Sequence, residues 1–123
     1  MKNIKIWHVI IGLVFVLAVT TLRPVPIVKE SECIMVEGVV GNVFESGDKD
    51  VSILLEGDNR KFYINRGLEN GLEMNSLTRK LIGNKVVMKY PSYWTPLNPF
   101  NSVRHISKLI IGEEVLFDET LEE

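Results

Sequence analysis

Residues 33–45, CIMVEGVVGNVFE, constrain this chain most: they form an apolar run with strand periodicity whose parity flips at two glycines. Ile34 and Val36 fall on one face, but past Gly38 and Gly41 the apolar positions become Val39 and Val43. Successive strand side chains point to opposite faces, so a change of parity needs an extra residue or a sharp bend. Glycine within a strand marks such places. The pattern therefore predicts one long, bent strand.

Downstream the same periodicity recurs. SGDK at 46–49 reads as a turn, Val51, Ile53 and Leu55 alternate in a second strand, and Gly57-Asp58-Asn59 turns the chain into a third carrying Phe62 and Ile64. Between Asn75 and Ile82 the period changes. Leu77 and Leu81 stand four apart, Asn75 is placed as N-cap, Arg79 and Lys80 suit the C-terminal end, and Gly83 closes a short helix. Residues 84–90 resume as a strand with Val86, Met88 and Tyr90 on one face. Residues 103–111 and 114–117 then read as a hairpin, with Gly112-Glu113 suited to a two-residue turn. The expected core comprises Val36, Val39, Val43, Ile53, Leu55, Phe62, Ile64, Leu77, Leu81, Val86, Met88, Ile106, Ile110 and Phe117.

Ahead of these patterns lies a run of different character. From Ile6 to Leu22 there is no acid, Lys or Arg; Lys2 and Lys5 precede the run and Arg23-Pro24 stops it. This predicts a transmembrane signal-anchor over 1–23, with Trp7 at the interface and Arg23 snorkelling. The basic N-terminal flank implies a cytoplasmic N-terminus and an extracytoplasmic domain in a single-pass inner (plasma) membrane protein. Secretion after cleavage near Ala18 and Thr20 is the alternative. The division expected is therefore anchor 1–23, linker 24–32, folded domain 33–118 and acidic tail 119–123, with membrane lipid as a partner.

At 123 residues and 46% apolar content the chain has room for one core. Its charge is uneven: residues 24–58 set two lysines against eight acids, residues 59–112 nine Lys/Arg against two acids, and the last eleven residues hold six acids and no base. The region after Arg23 is thus acidic overall, unlike the basic body of a general nucleic-acid binder. A single cysteine, Cys33, excludes an intramolecular disulfide framework, a multi-cysteine zinc site and a CxxC pair.

Three strands, a helix, one strand and a hairpin, with the first strand bent at Gly38 and Gly41, resemble the OB-fold, a small five-stranded Greek-key barrel. The resemblance covers residues 33–118 and lies in element order. The layout also resembles small single-span bacterial membrane proteins with an uncharacterised OB-fold-like domain, which imply no activity. The expected fold is mainly β: an OB-fold-like barrel with one short helix, behind a transmembrane helix. Periplasmic haem chaperones of cytochrome c maturation share an anchor and a barrel and hold haem through a histidine followed four residues later by tyrosine. Here Leu109 stands four residues after His105, and residues 112–123 contain neither His nor Tyr, so no cofactor is implied.

The most distinctive stretch runs from Tyr90 to Phe100, where Tyr90, Tyr93, Trp94 and Phe100 interleave with Pro91, Pro96 and Pro99. Proline lowers the ordering cost of a surface, and flat aromatic faces stack on partners. With Lys89 and Arg104 at its flanks, this segment is the candidate binding site; its alternative role is a lid sealing the barrel end. An envelope protein or a glycan is the expected partner of a non-enzymatic module. Single-stranded nucleic acid or another polyanion is the alternative, resting on Arg60, Lys61, Arg66, Arg79, Lys80, Lys85, Lys89, Arg104 and Lys108. No catalytic or metal-ligating residue is expected: His105 has no nucleophile beside it in a recognised motif, Asp48 and Asp50 share a turn, and Cys33 reads as a small buried residue.

Overall fold

A computed structural model describes the backbone of residues 2–21 and 25–122, with side chains described for residues 5–21 and 25–122. Helix α1 spans Lys2–Thr21. The strands are β1 (Cys33–Ser46), β2 (Asp50–Leu55), β3 (Lys61–Ile64), β4 (Lys85–Pro91), β5 (Val103–His105), β6 (Lys108–Ile111) and β7 (Glu114–Asp118), with helix α2 (Met74–Leu81) between β3 and β4. They form one seven-stranded sheet in the order β5-β3-β2-β1-β4-β6-β7.

The glycines of β1 divide its pairing. Cys33 to Val39 pair antiparallel with β4, whereas Val40 to Ser46 pair with β2, and the register slips between Val40 and Asn42. A Cβ on Gly38 would lie 2.9 Å from Leu55 Cδ1, so the Leu55 side chain of β2 packs into the space beside the bend and would have to shift for a larger residue. The bulge reverses the parity that simple alternation predicts. Val40 is fully buried and Val39 only half-buried; likewise Leu109, not Ile110, faces the core, beside a second slip between β6 and β7. The expected core is corrected at these two positions, and Val51 and Tyr90 join it.

The expected barrel is corrected too. β5 and β6 are separated only by Ile106 and Ser107, yet these two neighbours bond to opposite parts of the sheet. Ile106 N–H donates to Tyr63 O at 2.8 Å and Ser107 N–H to Lys89 O at 2.7 Å. The ladder breaks there, so β5 pairs with β3, β6 pairs with β4, and β5 and β7 end the sheet as its two edges. The result is a strongly bent sheet that is not closed into a barrel. Leu77 and Leu81 of α2 close over its core. The helix starts two residues earlier than an Asn75 cap implies: its N-cap is Glu73, with no side-chain hydrogen bond. At the last turn Gly112 takes φ +59°, the left-handed backbone that glycine adopts without strain.

No helix among the described residues is long and apolar enough to cross a membrane. The large apolar side chains described on α1 run from Ile6 to Val19, about 21 Å at roughly 1.5 Å per residue against a hydrocarbon core of about 30 Å. At its end Thr20 Oγ1 donates to Val16 O at 2.9 Å. This overturns the expected transmembrane helix and the single-pass inner-membrane localisation built on it. The anchor role of Trp7 goes with it: Trp7 is an exposed residue of α1, and Arg23 lies outside the described residues.

Candidate functional site

The segment between β4 and β5 holds itself together. Asn98 is its hub: its side-chain amide donates to Val103 O, its Oδ1 accepts from Val103 N–H at 3.3 Å, and its own N–H donates to Thr95 O at 3.0 Å. Asn101 N–H returns to Asn98 O at 3.1 Å, and Trp94 Nε1 donates to Pro99 O at 3.2 Å. These local bonds compete with strand pairing, so the chain leaves the sheet here. The loop's large apolar side chains point outward: Trp94 is 53% exposed, Leu97 74% and Phe100 89%. They do not seal the end of the sheet.

Tyr90 has a different environment from its neighbours in sequence. It is buried at the foot of the loop, 6.1 Å from the ring of Phe62, and its hydroxyl accepts from Arg60 Nη1 at 3.1 Å. Arg60 lies 5.1 Å from the Phe62 centroid and is gripped by Asp58, whose Oδ1 and Oδ2 accept at 3.1 and 2.9 Å. Those bonds hold the Asp58 carboxyl below its ordinary range and raise the Arg60 guanidinium. Arg104 also stacks on Tyr90, 4.9 Å from its centroid. Tyr90 and Arg104 are therefore brought together with Arg60, whose role depends on a pairing thirty residues distant that periodicity does not reveal.

Lys89 is engaged elsewhere. Its Nζ donates to Glu30 Oε1 at 2.7 Å, and Lys108 reaches the same oxygen at 2.9 Å, which holds the Glu30 carboxyl below the usual carboxylate range. Other cations of the basic middle are similarly paired: Lys80 with Glu114, Lys85 with Glu37 and Arg66 with Glu69.

Tyr93 and Tyr63 line a cavity of about 290 Å³ with Thr95, Leu97 and Asn98. Tyr63 also lines a second cavity, of about 270 Å³, with His105 and Glu119. His105 is buried, its Nε2 is bonded to the Glu119 carboxylate, and its ring meets Tyr63 edge-on at 5.3 Å. Glu119 is carried there by its own N–H, which donates to Ser107 O at 2.9 Å. This pair escapes a reading of local motifs because its members stand fourteen residues apart, His105 at the end of β5 and Glu119 just past β7.

Burial pushes the Tyr63 phenol up to about 12, with smaller contributions from Tyr93, Asp50 and Glu119. Between pH 10 and 12 the unfolded chain has lost this proton while the folded chain keeps it, so stability is complete below the ordinary phenol value and falls as pH rises toward 12. A tyrosinate absorbance titration is expected to contain a late step from Tyr63. Tyr63→Phe is expected to remove that late step and flatten the alkaline fall of the unfolding midpoint; a late step that survives Tyr63→Phe contradicts the assignment.

The chain matches no protein-family model, no curated protein and no solved structure.

Proposed function

We propose that this chain is a binding module whose working surface is the loop between β4 and β5, and that its ligand is another protein. The observation that carries this reading is the combination of Trp94, Leu97 and Phe100, exposed together on a loop already fixed by Asn98. Exposing three large apolar groups is unfavourable unless something covers them. A pre-ordered loop loses little entropy on binding, and tryptophan is prominent among residues that dominate interface energies.

A glycan is the second reading, favoured by the cavity beside the loop, where two phenols, Thr95 and Asn98 could meet a sugar ring. The polyanion reading draws less support, because many of the cations it needs already face carboxylates.

Trp7→Phe leaves Trp94 as the sole tryptophan. Its emission is expected to lie toward the red and to be readily quenched by acrylamide. A photo-crosslinking residue at position 97, used in cells, is expected to capture a protein in an adduct that disappears with Trp94→Ala. In binding, Trp94→Ala is expected to cost about 2 kcal/mol, while the unfolding free energy changes by less than about 1 kcal/mol. Blue, protected emission with no Trp94-dependent adduct would sink the reading. Retention on immobilised carbohydrate in place of a protein adduct selects the glycan.

A further inference from the structure

Arg104 is set apart from the ion-paired cations around it. A guanidinium carries five N–H donors, and none of those on Arg104 is taken by an acceptor among the described residues; its contact is the face of Tyr90. Its Nε is closed off without a partner, while its two Nη nitrogens, unbonded among the described residues, are not closed off and stay open to a ligand. The nearest arrangement of the same kind shows what is missing. Arg60, which also lies against Tyr90, has Asp58 to accept from its nitrogens. The two Nη groups lack an anion, and a carboxylate matches them with two parallel bonds.

Position narrows the class of acceptor. Arg104 follows the loop directly, four residues after Phe100, and Tyr90 fixes it at the loop's foot. The same loop exposes Trp94, Leu97 and Phe100. A peptide brings both a side-chain carboxylate and apolar side chains to cover them, whereas a phosphodiester backbone brings no apolar side chain. We infer that the loop's partner is a protein segment in which an Asp or Glu lies beside large apolar residues. Its carboxylate pairs with Arg104 on Tyr90, and its apolar neighbours cover Trp94 and Phe100. This rests on the loop being the binding surface and adds the charge that surface selects.

The test is selection of a random dodecapeptide phage library on the immobilised full chain, on Trp94→Ala and on Arg104→Gln. Peptides selected on the unaltered chain are expected to share one acidic position next to apolar ones. Changing that acid to its amide in a synthetic peptide is expected to weaken binding about ten-fold, the size of one charge-assisted hydrogen bond. Against Arg104→Gln the same change is expected to have little effect, and peptides selected on that variant should keep the apolar positions and lose the acid. The peptide-side substitution decides the matter even if Arg104→Gln folds poorly. Apolar enrichment without an acidic position overturns the inference and leaves the loop reading standing. Enrichment that is the same on Trp94→Ala overturns both. Tighter, Arg104-dependent binding of an oligothymidylate than of any selected peptide overturns the inference in favour of phosphate.

Discussion

Val40→Asp is expected to unfold the protein, while Val39→Asp, one residue away, is expected to be tolerated. Val40 is fully buried at the bend of β1, where its N–H donates to Asn84 O at 3.0 Å and its carbonyl accepts from Gly83 N–H at 2.9 Å. A carboxylate there has no cation to meet and no water, a cost of at least about 4 kcal/mol set against a total stability of about 5–15 kcal/mol for a typical domain. Val39 is half-buried and sits opposite Lys85 in the β1–β4 ladder, so an aspartate gains an opposite charge across the strands. A change of about 1 kcal/mol is expected there. Urea unfolding of the two variants reads the difference directly, and the reverse order would place the bulge on the wrong residue.

Phe62→Ala is expected to cost about 3–5 kcal/mol. The ring is fully buried in β3, paired opposite Ile53 and Arg104, and supports both the face of Tyr90 and the guanidinium of Arg60. Removing it opens a cavity beneath two side chains that hold the foot of the loop, so Arg104 is expected to lose its fixed position on Tyr90 as well. A chemical-denaturation midpoint that hardly moves would show that the core does not close over β3. Trp94 emission gives a second readout: the loop's own hydrogen bonds through Asn98 and Pro99 do not involve Phe62, so its wavelength is expected to stay where it is.

The loop illustrates what local sequence carries and what it does not. Its prolines and aromatics mark it as an irregular segment, and its exposure follows from bonds made inside the segment itself. The partners of its neighbours are another matter. Tyr90 belongs to the same aromatic run as Trp94, yet one is core and the other surface, because β4 pairs with β1 and carries Tyr90 inward opposite Ile34. Lys89 is equally basic in sequence terms to Arg104. One meets Glu30 across fifty-nine residues; the other, among the described residues, meets the ring of Tyr90.

Taken alone, the amino-acid order determined which segments become strands, where α2 lies, that β1 must bend near Gly38 and Gly41, and that residues between Pro91 and Val103 leave the sheet. These are properties of periodicity, of glycine and proline backbones, and of hydrogen bonds between near neighbours. Tertiary structure decided the rest: that Val40 and Leu109 face inward, that the ladder breaks at Ile106-Ser107 instead of closing a ring, and that Glu119 reaches His105. The reason is common to the fold-level cases. A one-residue slip reverses every side chain beyond it, and two adjacent N–H groups can choose different strands, at energies that depend on segments far away in the chain.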